Sequence, residues 1–456
     1  FLVRCMNIKK IIKSLIFTML LASGLVFSAD FNKGLKAAQS GDYKTAIAEF
    51  TPLAEQGDPV IQYILAIMYF HGEGVPKNEN TAVKWFTKSA EQGYAQAQWN
   101  LALSYYEGNG VPKNDKLAAN WNTKAAEQGH AQAQWNLGTM YDNGYGVLED
   151  DKTAVKWFTK AAEQGHAKAQ NSLGIMYDNG TGVPENDKTA VKWYTLAAEQ
   201  GDAIAQYNLG AMYHNGKGVL ENDKTAVKWF TLSAEQGIAS AQYNLGIMYD
   251  NGTGVPENDK TAVKWYTLAA EQGDAIAQYN LGAMYHNGKG VLENDKTAVK
   301  WFTLSAEQGI TSAQYNLAFM YDTGKGVPEN DKIAVKWYSK AAEQGHAKAQ
   351  DLLGGMYDFG EGVPENDKIA VKWYSKAAEQ GHAVAQYSMG IMYFAGTGIL
   401  KDNRRAYMWS SLSAYNDGPD QASKNKDIVA KEMTQADISK AQDMSSRCLE
   451  SNYTDC

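Results

Sequence analysis

The side chains able to do chemistry fall on a grid. His130, His166, His346 and His382 each stand directly after a glycine. His214 and His286 share one register position, and His71 lies one place beyond it. Asp250 holds that position between the first two, so stacking would line up an Asp/His row. A metal ion is the chemistry such a row suggests. Stacked helices, however, pack roughly 8–10 Å apart, too far for direct ligands to share one ion. Catalysis ordinarily needs a residue that breaks the pattern, with an activating partner beside it. No histidine breaks it, and no serine sits in a nucleophile elbow. The pair Gly216-x-Gly218 is half of a phosphate-binding signature, but no strand precedes it and the third glycine is missing. Glu185-Asn186-Asp187 and Glu257-Asn258-Asp259 lack the alternating oxygen ligands of a calcium loop. They read as helix caps. The expectation is no catalytic residue, no metal and no cofactor.

The grid has a period of 36 residues. Ten glycines, from Gly57 to Gly381, each close the letters Ala-Glu-Gln-Gly. A period of this size marks a solenoid of stacked helix pairs. Its length of 456 residues therefore reflects added units and not several globular cores. Residues 202–237 are identical to 274–309, so part of the array is a duplication.

Within that unit, Ala205, Leu209, Met212 and Tyr213 share one face of a helix running from Ala203 to about His214. Asn215-Gly216 stops it. A linker, 217–222, carries proline in several other copies, as at Pro184 and Pro256. Asp223 is placed to cap a second helix reaching Gln236, with Ala226, Val227, Phe230 and Ala234 inward. Small residues (Ala205, Gly210, Ala226, Ala234) alternate with large ones (Leu209, Tyr213, Trp229, Phe230), as interlocking helix layers require. The tryptophan recurring from Trp85 to Trp409 reads as core between helices before it reads as a ligand ladder.

A shorter pair, 30–57, precedes ten units spanning 58–418, and 419–456 read as two closing helices, the last capped by Thr434. The ladder slips at the end: Asp417 holds the expected glycine place and Gly418 follows. Ahead of the array, Lys9, Lys10 and Lys13 precede an apolar stretch, 15–27, and small Ser28 and Ala29. Residues 1–29 thus read as a secretory leader, with Met6 as its start. The apolar stretch is short for a span of about 20 residues, so no stable membrane span is expected, an uncleaved anchor being the alternative. If exported, Cys448 and Cys456 can close a small loop, the alternative being two free thiols. The net charge of −8 offers no basic stripe for nucleic acid.

The run A-x-A-Q-Y-N-L-G-x-M-Y-x-N-G-x-G-V, the acidic cap and the run A-V-K-W-[YF]-x-x-A-A-E-Q-G resemble the Sel1-like repeat, a relative of the tetratricopeptide repeat. The resemblance implies an all-α, right-handed α/α superhelical solenoid with first helices on the concave side. It also implies adaptor roles in bacterial envelope and host-contact processes. Some cysteine-rich relatives are described as acting on β-lactams, but this chain lacks their pair of cysteines per repeat.

Counting from the residue after each ladder glycine, places 3, 6, 10 and 13 should then face the concave side. Place 6 is mostly aromatic: Tyr63, Trp99, Trp135, Tyr207, Tyr243, Tyr279, Tyr315 and Tyr387, broken by Asn171 and Asp351. Place 13 varies and includes Asp142, Asp178, His214, Asp250, His286 and Asp322. Aromatic rows suit a peptide or protein partner, since aromatics dominate binding hot spots. Two alternatives stand beside that: the rings pack between units, or they stack sugars of a cell wall. The expectation is a periplasmic or secreted, non-enzymatic binding scaffold.

Overall fold

A computed structural model describes residues 29–456. The expected leader lies outside the described residues apart from Ala29. Among the described residues there are 24 helices and no strand. They divide into two compact units, one ending at Ser233 and the other starting at Ala234. Each is a run of helix pairs packed on neighbours in sequence, except that the last helix, Gln435–Glu450, packs on Asn403–Tyr415. The fold is an all-α solenoid.

The local chemistry of one repeat explains its two helices. Asp202 Oδ1 accepts the Ala205 N–H at 2.9 Å, which starts the helix Ala203–Asn215. Gly216 ends it in the left-handed conformation, φ 64°. The second helix is Asp223–Glu235. Its cap is Asn222, whose Oδ1 accepts the Thr225 N–H at 3.0 Å, and not Asp223 as the sequence suggested. A cap must stand just outside the helix, and Asn222 does. Asp223 is the first helical residue, where its charge favours the helix dipole. The second glycine of the Gly-x-Gly pair has another task. A Cβ on Gly218 would lie 2.5 Å from the carbonyl oxygen of Asp187, on the preceding repeat's second helix. The linker therefore docks on its neighbour at backbone contact distance.

Inside each repeat a glycine or alanine of the first helix receives the ring at place 29 of the second. A Cβ on Gly210 would lie 2.8 Å from Phe230. Phe230 and its counterparts, such as Phe158, Tyr194 and Tyr338, are buried. Neighbouring repeats are stitched by a buried glutamine at place 5. Gln98 Nε2 donates to the Ala90 carbonyl at 3.0 Å, and Gln98 Oε1 accepts from Gln128 Nε2 at 2.7 Å. Gln314 does the same with Ala306 and Gln344. The recurring tryptophans are core or half-buried, often under a lysine: Trp337 is buried with Lys340 Nζ 4.6 Å from its ring centre.

The ends depart from the repeat. The first pair is Ala29–Ser40 and Tyr43–Glu55. At the other end Asp417 takes the ladder's left-handed backbone, φ 56°, in place of glycine. Helices Asp420–Lys431 and Gln435–Glu450 follow, the second capped by Thr434 Oγ1 on the Asp437 N–H at 3.2 Å. Cys448 and Cys456 are joined as a disulfide.

Candidate functional site: the first-helix face

At place 6 the rings are half-buried, and they pack in two directions. Inward, four tyrosines meet the place-29 ring of their own repeat: Tyr207 lies 5.7 Å from Phe230, Tyr243 6.2 Å from Tyr266, Tyr279 6.0 Å from Phe302 and Tyr315 6.0 Å from Tyr338, between ring centres. Sideways, three stack on the histidine that opens the next repeat: Trp99 on His130, Trp135 on His166 and Tyr315 on His346, the last at 4.5 Å. Packing between units is thus only half of their role. Tyr387 is also half-buried. Tyr63 is corrected: it is 5% exposed, because Phe86 and the edge of Tyr94 enclose it, so it is core and offers no contact surface.

The varied residues of place 13 have internal partners. Asp178 accepts the Tyr194 hydroxyl at 3.3 Å, Asp322 that of Tyr338 at 3.2 Å, and Asp358 that of Tyr374 at 3.4 Å. Burial first, then the adjacent carboxylate, pushes these phenols above their ordinary range. Burial, then the nearby Asp250 carboxylate, raises the Tyr266 phenol likewise. Where place 29 is Phe230 or Phe302, place 13 is instead His214 or His286. Each sets Nδ1 2.6 Å from the first carboxylate of its second helix, Asp223 or Asp295. Every place-29 tyrosine has an aspartate at place 13, a covariation visible in the sequence; among the phenylalanines only Phe230 and Phe302, in the duplicated repeats, have histidine. Lysines of the duplicated linkers add cross-repeat ion pairs, Lys217 to Asp178 at 2.8 Å and Lys289 to Asp250 at 2.7 Å. Asp142 stands over Phe158 and has no phenol beneath it; burial, then Asp151 and Glu149, raise its pKa. The Asp/His row therefore resolves into separate pairs. Among the described residues no group of three or more His, Cys, Asp or Glu is arranged to hold a metal.

Places 3 and 10 carry the surface that internal pairing does not consume. Ile204, Ile276 and Val384 at place 3, and Ile175 and Ile391 at place 10, remain exposed. A second apolar set was missed from the sequence. Leu148, Leu220, Leu292 and Leu400 stand in the linkers where other repeats have proline, and Leu220 is 91% exposed. Alternation of Leu with Pro at one place was the available signal.

One break in the aromatic row has its own chemistry. Asp351 replaces the place-6 ring and is 9% exposed, with Oδ1 lacking any partner. Its Oδ2 lies 3.8 Å from His382 Nδ1, and burial pushes its pKa up to about 6. It borders a hollow of about 580 Å³ with Asp322, Asp358, Tyr374, Tyr387 and Ile391.

Comparison with known proteins places this architecture. The Sel1 repeat profile matches ten times in succession, from 60–94 and 95–130 through 347–382 and 383–417. A solved structure of c5321, a protective antigen of uropathogenic Escherichia coli strains displaying an SLR fold, is similar at 35% identity and TM-score 0.81. That match covers 96% of this chain and 94% of the other. A Sel1 repeat protein from Oxalobacter formigenes is 33% identical over 71% of this chain and 91% of its own, with TM-score 0.51. No curated protein matches. Among the described residues no helix is long and apolar enough to cross a membrane. Ten consecutive repeats, their caps and their glutamine stitching make this chain a member of the Sel1-repeat family.

Proposed function

We propose that this protein is an exported, non-enzymatic adaptor that holds a peptide or protein partner on the face of its first helices. A Sel1-repeat solenoid is a scaffold for protein partners. The observation that carries the finer reading is the apolar set at places 3 and 10. The cores of their repeats are already closed, by Phe302 or by helix Asp420–Lys431, yet Ile276, Val384 and Ile391 stay in water beside half-exposed Tyr279 and Tyr387. Aliphatic and aromatic side chains grouped on one face suit a partner's apolar anchors.

The test compares capture from an envelope extract by the purified protein and by Ile276→Asp/Val384→Asp/Ile391→Asp, with circular dichroism checking the fold. Loss of specific capture in the folded variant is expected. The same proteins captured by both would overturn the face assignment. Retention on peptidoglycan without a protein partner would replace it with glycan binding, and hydrolysis of a chromogenic β-lactam would end the non-enzymatic reading. Export rests on residues 1–29. Residues 1–40 fused to a reporter that folds only in an oxidising compartment should give an active reporter, and a silent fusion would remove export from the proposal.

A further inference from the structure

Eight of the ten repeats bury a phenylalanine or tyrosine at place 29 of the second helix. Two do not: Asn122 holds the place in repeat 94–129, and Ser410 in repeat 382–418. Near Ser410 the chain supplies its own cover. Helix Asp420–Lys431 lies there with Ala422 and Val429 buried, and Asn425 Nδ2 donates to Ser410 Oγ at 2.9 Å. A repeat without its ring is thus, within this protein, a place where another segment docks with an amide meeting the polar side chain left in the ring's stead.

Among the described residues no such segment lies near Asn122, and a cavity of about 200 Å³ remains. Trp99, Leu103, Tyr106, Asn122, Trp135 and Tyr145 are among its walls. An apolar cavity of about 150 Å³ is enough to take benzene, so there is room for one six-membered ring. Its indoles are themselves departures, since Trp99 and Trp135 are the two tryptophans in a row otherwise mostly tyrosine. Two polar atoms of the lining are buried without a partner: Asn122 Oδ1, on a side chain that is 3% exposed, and Trp99 Nε1. The Asn122 amide nitrogen reaches only the weak acceptor Met140 Sδ, at 3.5 Å. Buried polar atoms left unpaired are costly, and a native protein keeps them where something else pairs them.

We infer that this cavity is a specificity pocket for a tyrosine side chain of the partner. The missing ring and the indole walls ask for a ring. The acceptor on Asn122 and the donor on Trp99 ask for one group that can both donate and accept, which a phenol hydroxyl does and a phenylalanine or an aliphatic side chain does not. Tyr106 and Tyr145, both part-exposed, flank the approach and can contact the partner's neighbouring residues. This deepens the proposed function and rests on it, by naming the side chain that the protein partner inserts.

The test uses purified full-length protein and N-acetyl-tyrosinamide, followed by saturation-transfer NMR. Saturable binding is expected, with N-acetyl-phenylalaninamide about fivefold weaker for want of the hydroxyl. Asn122→Phe restores the ring that Phe86 and Phe158 supply elsewhere. It should abolish binding of the tyrosine probe while raising the melting temperature, so that loss of binding cannot be put down to unfolding. No saturable signal with the tyrosine probe, equal signals in the variant, or a preference for N-acetylglucosamine would each overturn the pocket assignment. Ile276, Val384 and Ile391 lie outside this pocket. The capture experiment can therefore succeed while this one fails, and the two readings are told apart.

Discussion

Repeats 94–129 and 346–381 break the same sandwich from opposite sides. In a regular repeat a place-6 ring lies over a place-29 ring, as Tyr207 lies over Phe230. In the first broken repeat the inner ring is gone: Trp99 stays and Asn122 leaves a cavity lined by indole. In the second the outer ring is gone: Tyr374 stays and Asp351 puts a carboxyl into nearly the same depth. Removing the inner layer opens volume that an apolar group can fill. Removing the outer layer leaves the inner ring in place and puts an ionisable group, itself barely reached by water, on the wall of a more open hollow. One two-ring motif thereby yields an apolar pocket or a titratable hollow, depending on which layer is exchanged.

The largest expected effect tests whether the inner layer really is absent at Asn122. Phe230→Ala should cost about 3–5 kcal/mol, as ring truncation in a packed core does. Asn122→Ala should cost under about 1 kcal/mol, since the ring is already missing. Urea unfolding checks the totals, and amide exchange within the affected repeat reads the loss locally, because repeat arrays can unfold in parts. Equal costs would erase the contrast.

Next comes the outer layer. The folded pKa of Asp351 is raised from 3.8 to about 6, so folding favours its protonated form. That stability is fully present below the unfolded value and is lost as pH rises through about 6. The shift corresponds to up to about 3 kcal/mol. His382, facing it, has its pKa lowered by burial, and so loses stability in the opposite sense as pH falls below its ordinary range. Comparing Asp351→Asn with the native chain isolates the acid: the variant's relative stability should rise between about pH 4 and 7. A difference flat with pH would remove the titratable hollow. A smaller gain, about 1.5–3 kcal/mol, is expected for Asn122→Phe from burying one added ring, measured as a higher unfolding midpoint. The smallest effect is Tyr338→Phe, which gives up the 3.2 Å bond to Asp322 for about 0.5–1.5 kcal/mol. It should leave the ring contact with Tyr315 intact, which the unchanged near-ultraviolet dichroism of the variant would report.

Much of the architecture could be read directly from spacing. The ladder glycines placed each second helix's end, Gly216 marked the first helix's end, and Thr434 was recognisable as a cap. The cap of the second helix came out one residue late, because Asn222 and Asp223 are both good capping residues and only backbone geometry separates them. The face of the first helices was harder. Place 13 looked like variable surface, yet Asp178 and Asp322 vary in step with Tyr194 and Tyr338 beneath them. Tyr63 looked like its counterparts, yet Tyr94, the one tyrosine that opens a repeat, covers it. The gap at Asn122 stood in the sequence as a single missing ring, but a missing ring has no volume until its neighbours are in place.

The sequence by itself determined the helix pair, its 36-residue period and the small residues that let helices approach. These follow from short-range rules of capping, turn formation and periodic burial that each copy repeats. Only the tertiary structure decided which side chains of the exposed-looking helix face are already spent. A residue's availability depends on partners 9, 16 or 37 positions away, such as Asp223 for His214, Tyr194 for Asp178 and Asn171 for Asn208. Those partners meet only when the two helices of a repeat, and then neighbouring repeats, close on one another.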